Sequence, residues 1–556
     1  MVKIAANAAS SAHAPGGSRV ACTSAYVAGA DVLRLPVRLT KDARPVIAED
    51  DDIEAATGQP GKLSELTLAE LRQLNFSATF KDASGQPFKA PAMKIETFGF
   101  LLDVIPSQPW ILVELKPESD AARRSSLVQQ VVGATKNRGL SERMIVYSSD
   151  AEALRAMRSA SPRTPIASFA ADRPPVEQLD AATNVDADAV VLRLSTVVDA
   201  SGSVPRLTPF GSGVASRVRT GQLRLGAILI DDAGAIDPNV YALLSDGGTF
   251  WTIVTDSMIA AAPVFRPGWK SVDEHWEQSA ANHEDVNADL WHLGYAKYNP
   301  DHYCHVYPDD GIHIDIKEFT GEVTYTPTGD PVRDKLQYLL ARTWESNRDW
   351  PFYSGGGVGF ALGIDGDFSA EVDVQSDKAQ QATTVEMAAI NVDPATHRKP
   401  WIQDSAGAWQ PNVPESFRDK HTFFDPHGAP PFCGVEHDED DGWRINWNTG
   451  TDYDSNQYGK PWGDGKLLKG RMRLDRRGEW FAAYFRPTDK TGALDWTCVG
   501  VARNQSLNRV IYLRLAGKRW RQEDPENPSQ WMPVIPNHFV FQNMTINRYV
   551  AAPHDA

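Results

Sequence analysis

Cysteine is scarce in this chain: 556 residues carry only four, Cys22, Cys304, Cys433 and Cys498. They lie far apart and form no CxxC pair, so a zinc ribbon or a disulfide framework has no basis, and buried free thiols are the expectation. Long hydrophobic runs are also missing. No window approaches the roughly 18 apolar residues that a membrane-spanning helix needs. Positive charge is in deficit, with 56 Lys+Arg against 72 Asp+Glu and a net charge of −16, which argues against a protein built to hold nucleic-acid phosphates. The opening MVKIAANAASSAHAPGGSRV lacks the apolar core of a secretory signal, so a cytoplasmic or virion-associated setting is expected. No GxSxG, HExxH or GxxxxGK[ST] is present. The glycine run Gly355–Gly359 fails the GxGxxG spacing, because the required last glycine falls on Phe360 or Leu362, and it reads as a flexible turn.

Tryptophan divides what is there. Only Trp110 and Trp251 precede residue 257, which leaves 14 of the 16 for the rest of the chain. A break of this size marks a change of fold. The boundary is expected at Ala260–Gly268, where AAAPVFRPG reads as a linker. The expected division is 1–260, then 261–345 as linker and lead-in, then 346–556.

Before the break, short β-branched runs alternate with helical stretches. Strands are predicted at Val32–Val37, Pro45–Ala48, Trp110–Leu115, Met144–Tyr147, Pro165–Phe169, Ala189–Leu194, Gly226–Ile230 and Trp251–Thr255. Helices are predicted at Thr67–Leu74, Ser125–Lys136, Ala151–Arg158 and Asn239–Leu244. Nearly continuous apolar strands separated by helices are the pattern of buried parallel βα units, and about eight of them make a (β/α)8 TIM barrel. After the break, the alternation in DFSAEVDV, GRMRLD, EWFAAYFR and RVIYLRL, separated by polar turns, predicts an antiparallel β-sandwich. Helical periodicity is scarce beyond Val332–Glu345.

The stretch from Ala25 to Gly58, AYVAGADVLRLPVRLTKDARPVIAEDDDIEAATG, carries a resemblance. With LSELTLAELRQL (Leu63–Leu74), KIETFGFLLDVIP (Lys94–Pro106), ILVELKP (Ile111–Pro117) and TIVTDSM (Thr252–Met258), it resembles the glycerophosphodiester phosphodiesterase family over residues 1–258. The resemblance implies a (β/α)8 barrel and a metal-dependent phosphodiesterase site. That site is interrupted here. The family's first histidine aligns near Ala6-Asn7-Ala8, its two metal-holding carboxylates with Arg34 and Pro36, and its second histidine with Glu49. Glu114 and Lys116 remain and are the candidate catalytic residues; His13 lies in an apparent surface segment.

Phosphodiester cleavage needs an activated nucleophile, a proton donor and positive charge on the phosphoryl oxygens, each acid–base group contributing about 10²–10⁴ in rate. The expectation is therefore a non-catalytic or nearly non-catalytic scaffold barrel, in which Glu114 and Lys116 are relics or structural ion-pair partners and Arg34, which would repel a divalent ion, could pair with Glu114. One alternative is a rebuilt acidic site for Ca²⁺ or Mg²⁺ using Glu49, Asp50 and Glu114, with Asp51 and Asp52 beside them. Another is an anion site at Arg34 and Lys116.

The second half weakly resembles the concanavalin/laminin-G-like lectin sandwiches (jelly-roll) through DFSAEVDV, KGRMRLDRRGEWFAAYFR and DWTCVGVARN. Its segment Gly434–Gly465 is read as a long binding loop in which Trp443, Trp447, Tyr453, Tyr458 and Trp462 stand among Asp and Asn, a mixture suited to sugars. Alternatively these aromatics pack the core. The acidic groups Asp438–Asp441 and Asp365-Gly366-Asp367 could supply oxygens to Ca²⁺, although solvated charge is the plainer reading. The expected function is a binding or structural protein that recognises a glycan or another protein's surface, with self-assembly or virion partners, such as a phage tail adhesin. The alternatives are a phosphodiesterase acting on glycerophosphodiesters or polyol-phosphate polymers and, more distantly, a glycoside hydrolase using paired carboxylates.

Overall fold

The computed structural model describes residues 3–259 apart from 8–11, 82–84, 86–91, 171, 203, 232–237, 246–249 and 257. Beyond these it describes 363–376, 383–391, 431–438, 442–449, 469–492, 495–520 and 537–549, together with the shorter strands named below and 401–403, 409–411, 523–524 and 527–531. The chain forms two compact units: Met1–Pro267 with Gly492–Cys498, and the remainder.

In the first unit, eight parallel strands close on themselves. They are β1 (Lys3–Asn7), β2 (Val32–Leu39), β4 (Trp110–Leu115), β5 (Met144–Ser148), β6 (Ile166–Phe169), β7 (Ala189–Arg193), β8 (Gly226–Ile230) and β9 (Phe250–Thr255). Closure comes from β1, which pairs with β9 on one side and β2 on the other. Helices α1 (Arg19–Val27), α2 (Ala121–Lys136), α3 (Ala151–Ala160), α4 (Pro175–Asn184), α5 (Pro209–Arg219) and α6 (Pro238–Ser245) occur between strands. Side-chain caps mark where several begin: Asp120 accepts from Arg123 N, Asp150 from Ala153 N, and Thr208 from Gly211 N.

The count of eight predicted strands is right, but one member differs. Pro45–Ile47 (β3) is no barrel strand. It folds back antiparallel on β2, with Val37 opposite Ile47, through a turn in which Ala43 has φ 55°. The missing barrel strand is β1, whose KIAAN is too short and too small-residued to stand out. The helix predicted at Thr67–Leu74 shrinks to Leu68–Leu71, opened by a Thr67/Glu70 capping box.

Strand period places alternate residues inside the barrel. Ala5, Val32, Leu112, Ile145, Ala167, Val191, Ile228 and Val254 fill it as a fully buried cluster. Two residues further along four of these strands, at the C-terminal end, stand Asn7, Arg34, Glu114 and Tyr147. That end is where barrels of this architecture carry their sites.

The second unit contains two eight-stranded sheets. The first runs β12 (Tyr303–Tyr307), β13 (Gly311–Ile316), β25 (Asn537–Tyr549), β16 (Phe368–Ser376), β21 (Lys469–Arg477), β22 (Trp480–Pro487) and β23 (Thr497–Arg503), with β10 (Trp269–Glu274) also on β25. The second runs β11 (Trp291–Lys297), β14 (Tyr353–Phe360), β24 (Val510–Trp520), β17 (Thr383–Ile390), β18 (Phe432–Asp438), β19 (Gly442–Asn448) and β20 (Asn456–Tyr458), with β15 (Ile364–Asp365) also on β24. Their paired strands are antiparallel, as in β16 with β25 and β17 with β24.

The sheets pack face to face. The Trp443 ring stacks on Phe485 of the opposite sheet at 4.1 Å. Gly500 and Gly517 allow close approach, since a Cβ there would lie 2.5 Å from Ile445 and 2.4 Å from Phe539. This is the expected sandwich, with two corrections. Residues 261–345, read as linker and lead-in, supply β10 to β13. The run Gly355–Gly359 is not a turn but the middle of β14, where Gly355, Gly356, Gly357 and Gly359 face Lys518, Gly517, Ala516 and Arg514 of β24 across the ladder, with Val358 opposite Leu515. Val332–Glu345 lies outside the described residues.

Candidate functional site

Four inward-facing side chains and one returning loop meet at the mouth of the barrel. Arg34 is 5% exposed, yet all five of its N–H groups have acceptors. Nε donates to the Tyr147 hydroxyl, and Nη1 donates to Asn7 Oδ1 (2.5 Å) and Glu49 Oε2 (2.7 Å). Nη2 donates to Glu49 Oε1 (2.9 Å) and to Glu114 Oε2. Lys116 Nζ completes the cluster, 2.7 Å from Glu49 Oε1 and 2.8 Å from Glu114 Oε1. Tyr147 in turn donates to Glu114 Oε2 at 2.7 Å.

Glu49 is brought here by the β2–β3 hairpin. That return carries the chain back to the mouth, where Arg38 holds the Glu49 carbonyl through Nε (3.2 Å) and Nη2 (3.0 Å). Burial alone would raise the Glu49 carboxyl. The hydrogen bonds and charges of Arg34 and Lys116 outweigh it and hold the group at about 2. Burial, and next the charge of Glu114, push the Tyr147 hydroxyl well above its usual range despite Arg34, so it remains a donor.

Two cations thus stand against two carboxylates, and the expected Arg34–Glu114 pair is present within a closed network. That network revises the other expectations. As an anion site, Arg34 has no N–H left to offer. As a metal site, Glu49 and Glu114 direct oxygens at Arg34 and Lys116, and a divalent ion between them would meet two positive charges. The donor set does not fit Ca²⁺ or Mg²⁺. Asp50 is exposed, Asp51 accepts from Ser64 N and Oγ (both 2.9 Å), and Asp52 accepts from Glu54 N (2.9 Å). These are loop bonds, and among the described residues no cluster of three or more metal-ligating side chains occurs. His13, read as a surface residue, is buried, with Nδ1 donating to the Trp496 carbonyl at 2.9 Å.

Asn7 and Tyr147 were not singled out as site residues. The strand of Tyr147 is readable and that of Asn7 is not, and the role of each depends on where β5 and β1 point their alternate residues in the closed barrel.

In the second unit, Trp443 is 1% exposed and belongs to the core between the sheets, because Gly434–Asn448 is mostly the β18–β19 hairpin and not a binding loop. Trp447 is half-buried on β19. Tyr453 and Trp462 lie outside the described residues, and of Tyr458 only the strand is described. Asp365 pairs with Arg509 (2.6 Å) and Asp438 with Arg444 (3.0 Å), while residues 439–441 lie outside the described residues. Cys22, Cys433 and Cys498 are buried free thiols.

A second polar cluster lies on the face of the second sheet opposite Trp443. Register places Glu386 beside Glu436 and Glu436 beside Arg444. Asn446 Nδ2 donates to Glu436 Oε2 (2.6 Å) and Glu386 Oε2 (3.4 Å), Arg444 Nε to Glu436 Oε1 (2.5 Å), and Arg514 Nη2 to Glu386 Oε1 (2.5 Å). Burial, against the charge of Arg444 and with that of Glu386, raises Glu436 to about 7. The signal was available as polar residues at every second position of VEHD and WRINWN.

Residues 10–219 match the model of the "Glycerophosphoryl diester phosphodiesterase family". An uncharacterised protein of Mycobacterium tuberculosis, Rv2277c, is 29% identical over 151 residues, which cover 27% of this chain and 49% of that protein. A glycerophosphodiester phosphodiesterase of Caldanaerobacter subterraneus is 25% identical over 163 residues, covering 29% of this chain and 64% of that protein. The chain thus spans about half the length of the first of these relatives and under two thirds of the second. Among solved structures, a phosphodiesterase of Oleispira antarctica in complex with the product sn-glycerol-3-phosphate is 19% identical with a TM-score of 0.38, over 47% of this chain and 96% of that one. A glycerophosphodiester phosphodiesterase of Agrobacterium tumefaciens is 16% identical with a TM-score of 0.37, over 47% of this chain and 100% of that one. Over residues 10–219, the barrel of this chain is thus similar to the glycerophosphoryl diester phosphodiesterase family.

Proposed function

We propose that this chain is a binding or structural protein in which the phosphodiesterase-type barrel serves as a non-catalytic scaffold. One observation carries the reading: the guanidinium of Arg34, fully hydrogen-bonded, ties Glu49 and Glu114 together where the resemblance implies a metal and an acid–base pair. The two histidines are missing from the aligned positions, and Glu49, which stands where the second would be, is held ionised at about 2, so it supplies no proton donor or acceptor near neutrality. Recognition then falls to the sandwich, whose partner is proposed to be a glycan or another protein's surface, in a setting such as a virion or tail adhesin. The support for that half is compositional: 14 of 16 tryptophans lie beyond the barrel strands.

The test is a phosphodiesterase assay of the purified chain on glycerophosphodiesters and a glycerol-phosphate polymer, with Ca²⁺ or Mg²⁺ and with chelator, beside an active family member. The expected result is no turnover in any condition. Metal-dependent turnover that disappears in a folded Glu114→Gln variant would overturn the scaffold reading in favour of a rebuilt phosphodiesterase.

A further inference from the structure

We infer that Arg34 is a built-in replacement for a divalent cation. The barrel mouth is an oxygen cradle that holds a guanidinium permanently, and it becomes a metal site only when that guanidinium is removed. This deepens the scaffold reading and rests on it. The geometry carries the inference. Four residues, Asn7, Glu49, Glu114 and Tyr147, direct oxygens at one cationic group, and they come from three barrel strands and the β3 return. Such convergence on a central cation is what a hard-metal site requires. Here the centre is covalently part of the chain, on β2.

The arrangement also explains why the neighbouring charge is tolerated. Glu114 has 8% of its side chain exposed and Glu49 35%, and both are neutralised in place by Arg34 and Lys116. A divalent ion could enter only by displacing a guanidinium that makes five hydrogen bonds, with Lys116 adding repulsion. Deleting Arg34 leaves two carboxylates, an amide oxygen and a phenol around a cavity with only Lys116 to balance them. Buried unpaired carboxylates either take up a proton or recruit a cation.

The experiment compares the wild-type chain with Arg34→Ala and Arg34→Gln by thermal unfolding in chelator, CaCl2 and MgCl2. It also titrates Tb³⁺ while following luminescence sensitised through Tyr147, with Tyr147→Phe as the control. The wild type should melt at the same temperature in all three solutions and give no Tyr147-dependent signal. Either variant should melt lower in chelator, recover with Ca²⁺ or Mg²⁺, and show luminescence that Tyr147→Phe abolishes. A wild type stabilised by Ca²⁺ or Mg²⁺ would overturn the inference outright, whether or not the variants fold. Folded variants that bind no metal would overturn it too, since the oxygens would then be no cation cradle. The phosphodiesterase assay on the same wild-type sample separates the two claims. Turnover without metal binding removes the scaffold reading and leaves the replacement intact, while metal binding without turnover does the reverse.

Discussion

At the scale of single residues, the barrel mouth is governed by the rule that a buried charge is tolerable only with its partner. Arg34 contributes one charge to a network whose balance needs both Glu49 and Glu114. Glu114→Gln keeps the shape and removes the charge, which leaves Arg34 and Lys116 facing Glu49 alone. The expected cost is about 3–5 kcal/mol, the usual penalty for breaking a buried pair, read by urea unfolding at neutral pH. Arg34→Met combined with Glu114→Gln should cost less than the sum of the two single changes, because it removes the orphaned charge as well. The pH dependence has a fixed sign. Glu49 is depressed to about 2, so its contribution is complete above its ordinary value near 4.5 and is lost as pH falls toward 2. Glu49→Gln should flatten the stability–pH curve between those values, and an unchanged slope would mean that Arg34 does not hold Glu49 as described.

At the scale of the strand and sheet, the cluster on β17, β18, β19 and β24 behaves in the opposite sense. Glu436 is raised to about 7 by burial, so the fold favours its protonated form. Stability from this group is full below pH 4.5 and falls as pH rises through the interval to 7, by up to ~3 kcal/mol for a shift of this size. Glu436→Gln, which mimics the protonated acid, should remove that decline in unfolding of the second unit; a decline that persists would place the titration elsewhere. The strands that hold this cluster also show what the sequence makes legible and what it does not. Alternation identified the sandwich correctly because it depends on one strand at a time. It could not assign Trp443 to the core, because WRINWN has large or polar residues on both faces, and only the facing Phe485 decides which one is inside. The glycines of β14 read as a turn for the same reason: their strand is defined by β24, far along the chain. In the barrel, the long apolar strands were evident, whereas KIAAN became a strand only through its neighbours β2 and β9. Of the mouth, Arg34, Glu49, Glu114 and Lys116 were legible because the family resemblance marks their positions. Asn7 and Tyr147 were not, since no local pattern shows which inward residue reaches a common centre.

At the scale of the whole chain, fold boundary and sequence boundary do not coincide. The first unit recruits Gly492–Cys498 from more than two hundred residues beyond Pro267. His13 makes the connection chemical: its ring donates to the Trp496 carbonyl, and its own carbonyl accepts from Cys498 N at 2.7 Å. A chain ending at Pro267 retains every barrel strand and loses both bonds, so it should fold yet melt below the first unit of the intact protein. The cause can be isolated with a cycle. In the intact chain, His13→Ala removes the buried hydrogen bond to the Trp496 carbonyl, a loss of about 1–3 kcal/mol. In the shortened chain that carbonyl is already gone, so the same substitution should cost less than it does in the intact chain. Equal losses in the two backgrounds would show that His13 stabilises the barrel by itself and that the Gly492–Cys498 segment contributes nothing through it. Unequal losses would make the first unit a domain completed by a segment of later sequence.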